Sequence, residues 1–253
     1  MAPSQPRRAG VLIIGDEILS GRTQDTNLSF LGRRLHELGI ILAQARILPD
    51  QEDIIADDVL TFAQNYDYVF TTGGIGPTHD DITTQSVAKA FAVPITLDQR
   101  AKALLQKRVP GGELTQHQLK MAHVPKGATL IENPITYAPG FYLKNVFVLA
   151  GVPQIMQAMF ENITPQLQGG APFYNKTLRC LLGESILAPG LESIKRQHPN
   201  VSIGSYPFWG ANTHGASIVL RSQNVEQIAI AALKTEKLIH SLGGSLIDES
   251  VGQ

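Results

Sequence analysis

Thr71-Thr72-Gly73-Gly74-Ile75-Gly76-Pro77-Thr78-His79-Asp80-Asp81-Ile82-Thr83-Thr84 follows directly on the apolar run Tyr68-Val69-Phe70. Gly73, Gly74 and Gly76 open the backbone to positive φ and leave no Cβ to hold a ligand away. Pro77 then fixes φ and removes a donor, so the loop stiffens just past its tightest part. Thr78, Asp80 and Asp81 are good helix N-caps, and a periodic apolar segment (Val87, Ala90, Phe91) follows. Strand, glycine loop and helix start are the usual means of presenting backbone N–H groups to a phosphate. The acidic pair is the addition. Carboxylates beside a phosphate repel it unless a divalent cation or a proton lies between them. Hard ions such as Mg²⁺ fill that place, bound by one or two carboxylates plus phosphate oxygens. The loop reads as a metal-assisted site for a phosphorylated ligand, with Asp80 and Asp81 on the metal. The same residues also read as a tight turn in front of a capped helix, because a glycine loop alone is weak evidence.

Upstream, Ala9–Gly15 is an unbroken apolar run ending in glycine, as expected for a strand buried on both faces. Gly15-Asp16-Glu17 leaves it with acids at the exit. Asp25-Thr26-Asn27 offers caps for a helix with Leu28, Leu31, Leu35 and Leu38 on one face, stopped by Gly39. Ile40–Leu48 reads as a second strand ending at Pro49-Asp50, residues 52–63 as a helix, and Asp67–Thr72 as a third strand. Strands alternating with helices of this length imply βαβ units and a mainly parallel sheet. Ligands of such sheets sit beyond the carboxyl ends of the strands. That rule places Asp16, Asp50 and the Gly73–Asp81 loop on one edge.

Downstream, helical patterns fall near Gln85–Ala92, Gln99–Arg108 and Gln116–Ala122. Ala128–Glu132 and Phe141–Leu149 read as strands, the second turning at Lys144-Asn145. A helix carrying Ile155, Met156, Met159 and Phe160 follows Gly151-Val152-Pro153. The composition breaks at Gln168-Gly169-Gly170-Ala171-Pro172, which divides the chain into domains 1–168 and 169–253. Beyond the break, Tyr174–Leu182, Val201–Tyr206, Ala216–Ser222 and Ser245–Asp248 read as strands. Gly190–His198 and Val225–Leu242 read as helices. That order, βαββαβ, suggests a small ferredoxin-like α+β domain.

Composition narrows the function classes. Apolar residues at 43% and charged residues at 17% are globular values. A formal charge of −1 without a dense Lys/Arg run argues against nucleic acid as a partner. No apolar run approaches the roughly 18 residues of a membrane span, and Val11–Ile14 is too short for a signal core. Cys180 is the single cysteine, so the chain holds no disulfide framework or cysteine metal site. A buried apolar role for it and a cytoplasmic location are expected.

Taken in order, Gly15-Asp16-Glu17-Ile18-Leu19-x-Gly21, Asp25-Thr26-Asn27, Gly73-Gly74-Ile75-Gly76-Pro77-Thr78-x-Asp80-Asp81-x-Thr83, Asn133-Pro134, Ala138-Pro139-Gly140 and Gly151-Val152-Pro153 form a specific series. It resembles the molybdopterin-binding (MoCF) domain, as found at the N-terminus of the competence/damage-inducible proteins and in eukaryotic FAD synthase. The resemblance covers about residues 9–168. The part containing Gly204-Ser205-Tyr206-Pro207 resembles the small α/β domain that follows in the same proteins. The resemblance implies a three-layer αβα fold binding a pyrophosphate-containing ligand at the glycine loop. It implies metal-dependent hydrolysis of dinucleotide diphosphates such as ADP-ribose or FAD, or else molybdopterin binding in molybdenum cofactor synthesis. It also implies that Asp50 and Asp81 are the functional acids and that the chain associates into homo-oligomers. Thr136, Ala150 and Ile155 stand where glycine, proline and glutamate are usual. The resemblance does not extend to a deamidase or an FAD-synthesising domain, and neither activity is expected.

Hydrolysing a phosphoanhydride needs charge neutralisation on its oxygens and a positioned water, both of which a divalent metal (Mg²⁺ or Co²⁺) supplies. No covalently bound cofactor is expected. Asp50 reads as a water-orienting base, a second-loop ligand or simple turn chemistry. Gly15 and Asp16 add to the ligand edge, and Glu17 is a further acid or a cap. Gly73, Gly74 and Gly76 would give N–H groups to phosphate, with the Thr72 and Thr78 hydroxyls beside them. His79 reads as an acid toward a leaving phosphate or as a solvated loop residue. Tyr137 and Phe141 read as stacking partners for a flat ring or as packing, and Trp209 as a loop residue marking an interface. A dinucleotide-binding regulatory module without turnover remains the reading of another class.

Overall fold

The computed structural model describes residues 6–210 and 214–247. Contacts divide the chain into two compact units, Met1–Gly170 and Ala171–Gln253.

In the first unit, β1 (Arg8–Ile14) is the hub. It pairs in parallel with β2 (Ile41–Leu48) on one side and with β3 (Tyr68–Thr72) on the other. β3 pairs in parallel with β8 (Val146–Leu149), and β7 (Gly140–Leu143) and β6 (Thr129–Ile131) extend the sheet antiparallel, giving the order β2-β1-β3-β8-β7-β6. The mainly parallel sheet expected from the alternating pattern is therefore present. Side chains alternate between faces along a strand. Val11 and Ile13 pack under α2 (Asn27–Glu37) and α7 (Pro153–Ile163), against Leu31, Leu35, Met156 and Phe160. Leu12 and Ile14 pack on the opposite face against Ile55, Val59 and Phe62 of α3 (Glu52–Asn65) and Val87 of α4 (Thr83–Ala90). Both faces are covered, which completes the three αβα layers.

The chain runs from β1 outward to β2 and then crosses back to β3 on the other side of β1. The order reverses between β1 and β3, and such a switch point opens a crevice at the strands' carboxyl ends. Gly15 leaves β1 there and Gly73 leaves β3. α1 (Asp16–Leu19) starts at that exit.

The Lys144-Asn145 turn links β7 and β8. The Asn145 amide donates to the carbonyls of Ala63 and Tyr66, both at 2.9 Å, and ties the hairpin to the end of α3. α5 (Gln99–Gln106) and α6 (Gln116–Lys120) stand near the expected places. Between the helical patterns, β4 (Ile95–Leu97) and β5 (His123–Pro125) form a short antiparallel ladder that sequence reading missed. Three-residue strands carry too little periodicity to register, and Pro94 and Pro125 read as breakers.

A tie at the edge of the sheet yields a stability prediction. Asp67 accepts from the Arg8 N–H at 2.8 Å and pairs with the Arg7 guanidinium at 2.6 Å. The Arg8 N–H first, then Arg7, holds the Asp67 carboxyl below the usual carboxylate range. A depressed folded-state value stabilises the fold above the unfolded pKa of about 4, and that contribution disappears as pH falls through the folded value. Asp67→Asn is expected to cost about 0.5–1 kcal/mol at pH 7, the small figure reflecting solvent screening. Urea midpoints of variant and parent should converge as pH drops below about 4.

In the second unit β9 (Tyr174–Cys180), β11 (His214–Ser222) and β10 (Ser202–Trp209) form an antiparallel sheet in the order β10-β11-β9. α8 (Glu184–Gln197) and α9 (Val225–Ser241) cover one face through Leu187, Leu191, Ile194, Ile228 and Ile239, packed on Leu178, Ile218 and Leu220. Cys180 is fully buried in this core. α8 begins at Glu184, six residues before the expected Gly190, and carries Pro189 inside it. Proline reads as a breaker because it removes one helical hydrogen bond, but burial of Leu187 ahead of it and Leu191 behind it favours helix through the proline. Of the expected strand Ser245–Asp248, Leu246 makes a single bridge to Cys180, and Asp248 lies outside the described residues. Among the described residues no helix is long and apolar enough to cross a membrane.

Candidate functional site

The glycine loop is shaped by close contacts. Gly73 has φ +102° and Gly74 φ +68°. A Cβ on Gly73 would meet the Ile14 carbonyl oxygen at 2.1 Å, and one on Gly74 would meet Thr83 Oγ1 at 2.1 Å. Buried Thr83 binds both carbonyls: its hydroxyl donates to Gly73 O at 2.9 Å and its N–H to Gly74 O at 3.0 Å. The Gly73 N–H donates to Leu149 O at 3.2 Å, which fixes the loop to the end of β8.

Asp81 folds the far side of the loop. One carboxylate oxygen accepts the Gly76 N–H at 2.7 Å; the other accepts the Thr78 N–H at 2.7 Å and the Thr78 hydroxyl. Asp81 is thus a staple inside the loop rather than the expected cap; α4 starts at Thr83 with no side-chain cap. This also corrects the donor set expected for phosphate, since the N–H groups of Gly73 and Gly76 are engaged within the protein. Lys120 donates from Nζ to the Thr78 carbonyl and holds the loop from outside.

The exits of β1 and β2 are stapled in the same manner. The Asp16 N–H donates to Asp50 Oδ2 at 2.9 Å, the Asp50 N–H lies 3.4 Å from Asp16 Oδ1, and the Gly15 N–H donates to Leu48 O at 3.1 Å. Burial pushes the Asp50 carboxyl up from its ordinary value; the Asp16 N–H opposes this, and the charges of Asp16, Glu17 and Asp80 reinforce it. Those four carboxylates therefore share one field, at the edge where the three loops were expected to converge.

Between the loops opens a pocket of about 610 Å³ lined by Glu17, Thr23, Gly73 to Pro77, Asp81, Arg108, Asn133 and the Ala150–Pro153 turn, among others. Thr136, Ala150 and Ile155, the three departures from the family pattern, all line it. A second pocket of about 220 Å³ shares Ile75, Gly76, Asp81 and Met121 with it and adds Lys120 and His123. Asp81 stands where the two meet. Thr72 lines neither; it is 1% exposed and borders a polar recess of about 60 Å³ with Asn27, which is 4% exposed. Thr72 Oγ1 and Asn27 Oδ1 are buried there without hydrogen-bond partners among the described residues, while Asn27 Nδ2 donates to Gly151 O at 2.8 Å.

Phe141 borders the smaller pocket, and the remaining sequence candidates fall outside both linings. Thr78, His79 and Asp80 are exposed on the loop, and Gly15, Asp16 and Asp50 form the staple beside it. Phe141 is 2% exposed in the core, so its side chain is packing and not a stacking partner. Tyr137 sits at φ +61° on the Asn133–Pro139 turn and is partly exposed. Trp209 ends β10 opposite His214 and is not on a loop. Arg108 and Lys120 are the cations that sequence reading missed. Each lies at the end of an ordinary helical pattern, and only the fold brings it to the loop.

An oxygen-only donor set fits a hard cation and not a zinc-type site. Among the described residues no three His, Cys, Asp or Glu side chains close on one point. The arrangement suits an ion held by one or two carboxylates with the rest of its shell from water and phosphate.

Residues 10–169 match the family described as "Probable molybdopterin binding domain", and residues 172–247 match "FAD synthase, middle domain". An Aeropyrum pernix protein is 35% identical over 96% of this chain and 97% of its own length. A Clostridium botulinum protein described as competence-damage inducible is 32% identical over 95% of this chain, which spans 61% of that relative. The crystal structure of the protein CinA, of unknown function, from Thermoplasma acidophilum is 34% identical and superposes with a TM-score of 0.61, covering 64% of this chain and 99% of that one. With the site geometry and these matches together, the chain belongs to the molybdopterin-binding (MoCF) domain family, its MoCF domain followed by a FAD synthase middle domain.

Proposed function

We propose that the first unit binds the diphosphate of a nucleotide at the Gly73–Asp81 loop and hydrolyses its phosphoanhydride with a divalent metal. The observation that carries this reading is the meeting of Asp16, Asp50 and Asp80 at the exits of β1, β2 and β3, beside a pocket whose wall is the glycine loop. These carboxylates repel one another and a phosphate, and a divalent cation between them would relieve both repulsions. Gly74 and Ile75 offer backbone N–H groups, and Arg108 and Lys120 offset phosphate charge. Asp80 and Asp50 would hold the cation, with Asp81 keeping the loop in the shape that presents them. Bound there, the cation neutralises phosphate oxygens and lowers the pKa of a bound water.

Purified protein incubated with ADP-ribose, FAD or NAD is expected to release AMP only with Mg²⁺ or Co²⁺ present. Absence of AMP under every metal would leave a binding module that holds a dinucleotide without turnover. A second reading, a molybdopterin-binding protein, is favoured by the family match. Tight molybdopterin binding without dinucleotide hydrolysis would establish it. We further propose that the chain is cytoplasmic and associates with itself.

A further inference from the structure

The sheet of the second unit has two unlike faces. Leu178, Cys180, Ala216, Ile218 and Leu220 are buried toward α8 and α9. The alternate residues fall on the other face, where pairing sets Tyr206 opposite Ser217 and Ser217 opposite Arg179, with Phe208 and Arg221 in adjoining rows. No other element of this unit covers that face among its described residues.

Its chemistry is specific. Tyr206 is 58% exposed. A Cβ on Gly204 would meet the Tyr206 hydroxyl oxygen at 2.9 Å and Cε2 at 3.0 Å, so the ring lies flat along the strand over the glycine. The Arg179 guanidinium carbon stands 4.3 Å from the Phe208 ring centroid, and its buried Nε finds no acceptor among the described residues. Arg221 Nε donates to Asn175 Oδ1 at 3.1 Å across the sheet. The three strands contain no Asp or Glu; Glu184, Glu192, Glu226 and Glu236 all lie on the helices. The strands therefore carry only basic charged side chains, Lys176, Arg179 and Arg221, while the helices balance their glutamates with Lys195, Arg196, Lys234 and Lys237, and the whole-chain value of −1 hides this.

We propose that this face binds single-stranded nucleic acid, with a base stacking on Tyr206 and phosphates meeting Arg179 and Arg221. An exposed aromatic ring beside arginines on a sheet accepts an unpaired base of any sequence, because every base has a π-face. Duplex bases are stacked already and cannot use it. Area favours this occupant over a protein. The eight residues of β10 span roughly 26 Å and three strands roughly 15 Å, or about 400 Å², half of what one partner buries in a standard protein interface. That length suits three or four nucleotides.

The test is fluorescence anisotropy of the full chain with labelled oligo(U) and oligo(dT) of about twelve nucleotides, and with a duplex of equal length. Single strands of either sugar should bind more tightly than duplex, with a log–log salt slope near −1.4 for two phosphate contacts at about 0.7 each. Tyr206→Ala should weaken binding roughly five- to hundredfold, Tyr206→Phe should retain it, and Arg221→Gln should reduce the slope by about 0.7. Saturating ADP-ribose should leave the affinity unchanged, which separates this face from the pocket of the first unit. No binding of either strand at about 0.1 mM protein, equal affinity for duplex, or indifference to Tyr206→Ala would overturn the proposal. So would self-association that disappears in Tyr206→Ala, because a second copy would then own the face.

Discussion

Asp81→Asn is expected to lower turnover of a dinucleotide diphosphate by about a hundredfold or more while leaving the unfolding midpoint within a few degrees of the parent. The carboxylate accepts three donors, the N–H groups of Gly76 and Thr78 and the Thr78 hydroxyl. Asparagine has one acceptor oxygen and turns an NH₂ toward the rest, so at least one backbone donor loses its partner and faces another donor. Hydrogen bonds to a charged group are worth about 1.5–3 kcal/mol each, and one lost at the upper end of that range accounts for about a hundredfold effect. The stretch that Asp81 holds, Pro77 to Asp80, is exposed, so the loss is local. The kinetic constants separate the possible roles. A fall in kcat alone would mean that Asp81 acts on the transition state, whereas a rise in KM would mean that the loop has lost its binding shape. Full activity in Asp81→Asn would place the reaction elsewhere in the molecule.

What sequence reading recovered, and what it missed, follows the range of the forces involved. The unbroken runs Val11-Leu12-Ile13-Ile14 and Tyr68-Val69-Phe70 are local signals of burial on both faces, and the parallel sheet follows from them. The strand-end rule then brings Asp16, Asp50 and the glycine loop to one edge, and the Asp16–Asp50 hydrogen bond lies there. The partners of individual groups are not local. The Gly73 N–H is engaged by Leu149, far along the chain, so no inspection of the loop shows that this donor is taken. Phe141 reads equally as a stacking partner or as packing, because its burial depends on residues of α4, β6 and β8 that lie elsewhere in the chain. Arg108 and Lys120 carry no signal at all until the turn after α5 and the end of α6 are folded against the loop. Pro189 shows the complementary failure. The local rule is correct about the missing hydrogen bond, and packing of Leu187 and Leu191 outweighs it.

Gly73→Ala tests the same loop from the backbone side and should be the most destabilising single methyl added to this site. Two independent costs fall on one atom. At φ +102° an L-residue is strained, at about 1–3 kcal/mol. The new Cβ would also stand 2.1 Å from the Ile14 carbonyl oxygen, a backbone atom in the middle of the sheet that cannot swing aside as a side chain can. Overpacking of that kind typically adds about 1–3 kcal/mol. The sum, about 2–6 kcal/mol, is a large fraction of the 5–15 kcal/mol that holds a domain folded. It should appear as a lower urea midpoint at unchanged slope. Gly111→Ala is the control, since Gly111 has φ +73° with nothing within 4 Å of the new Cβ, leaving only the conformational cost. A Gly73→Ala protein as stable as Gly111→Ala would show that β1 and the loop separate freely. The crevice between β1 and β3 would then be no rigid wall for a phosphate, and the loop could not hold Asp80 and Asp50 in the relation on which the proposed chemistry depends.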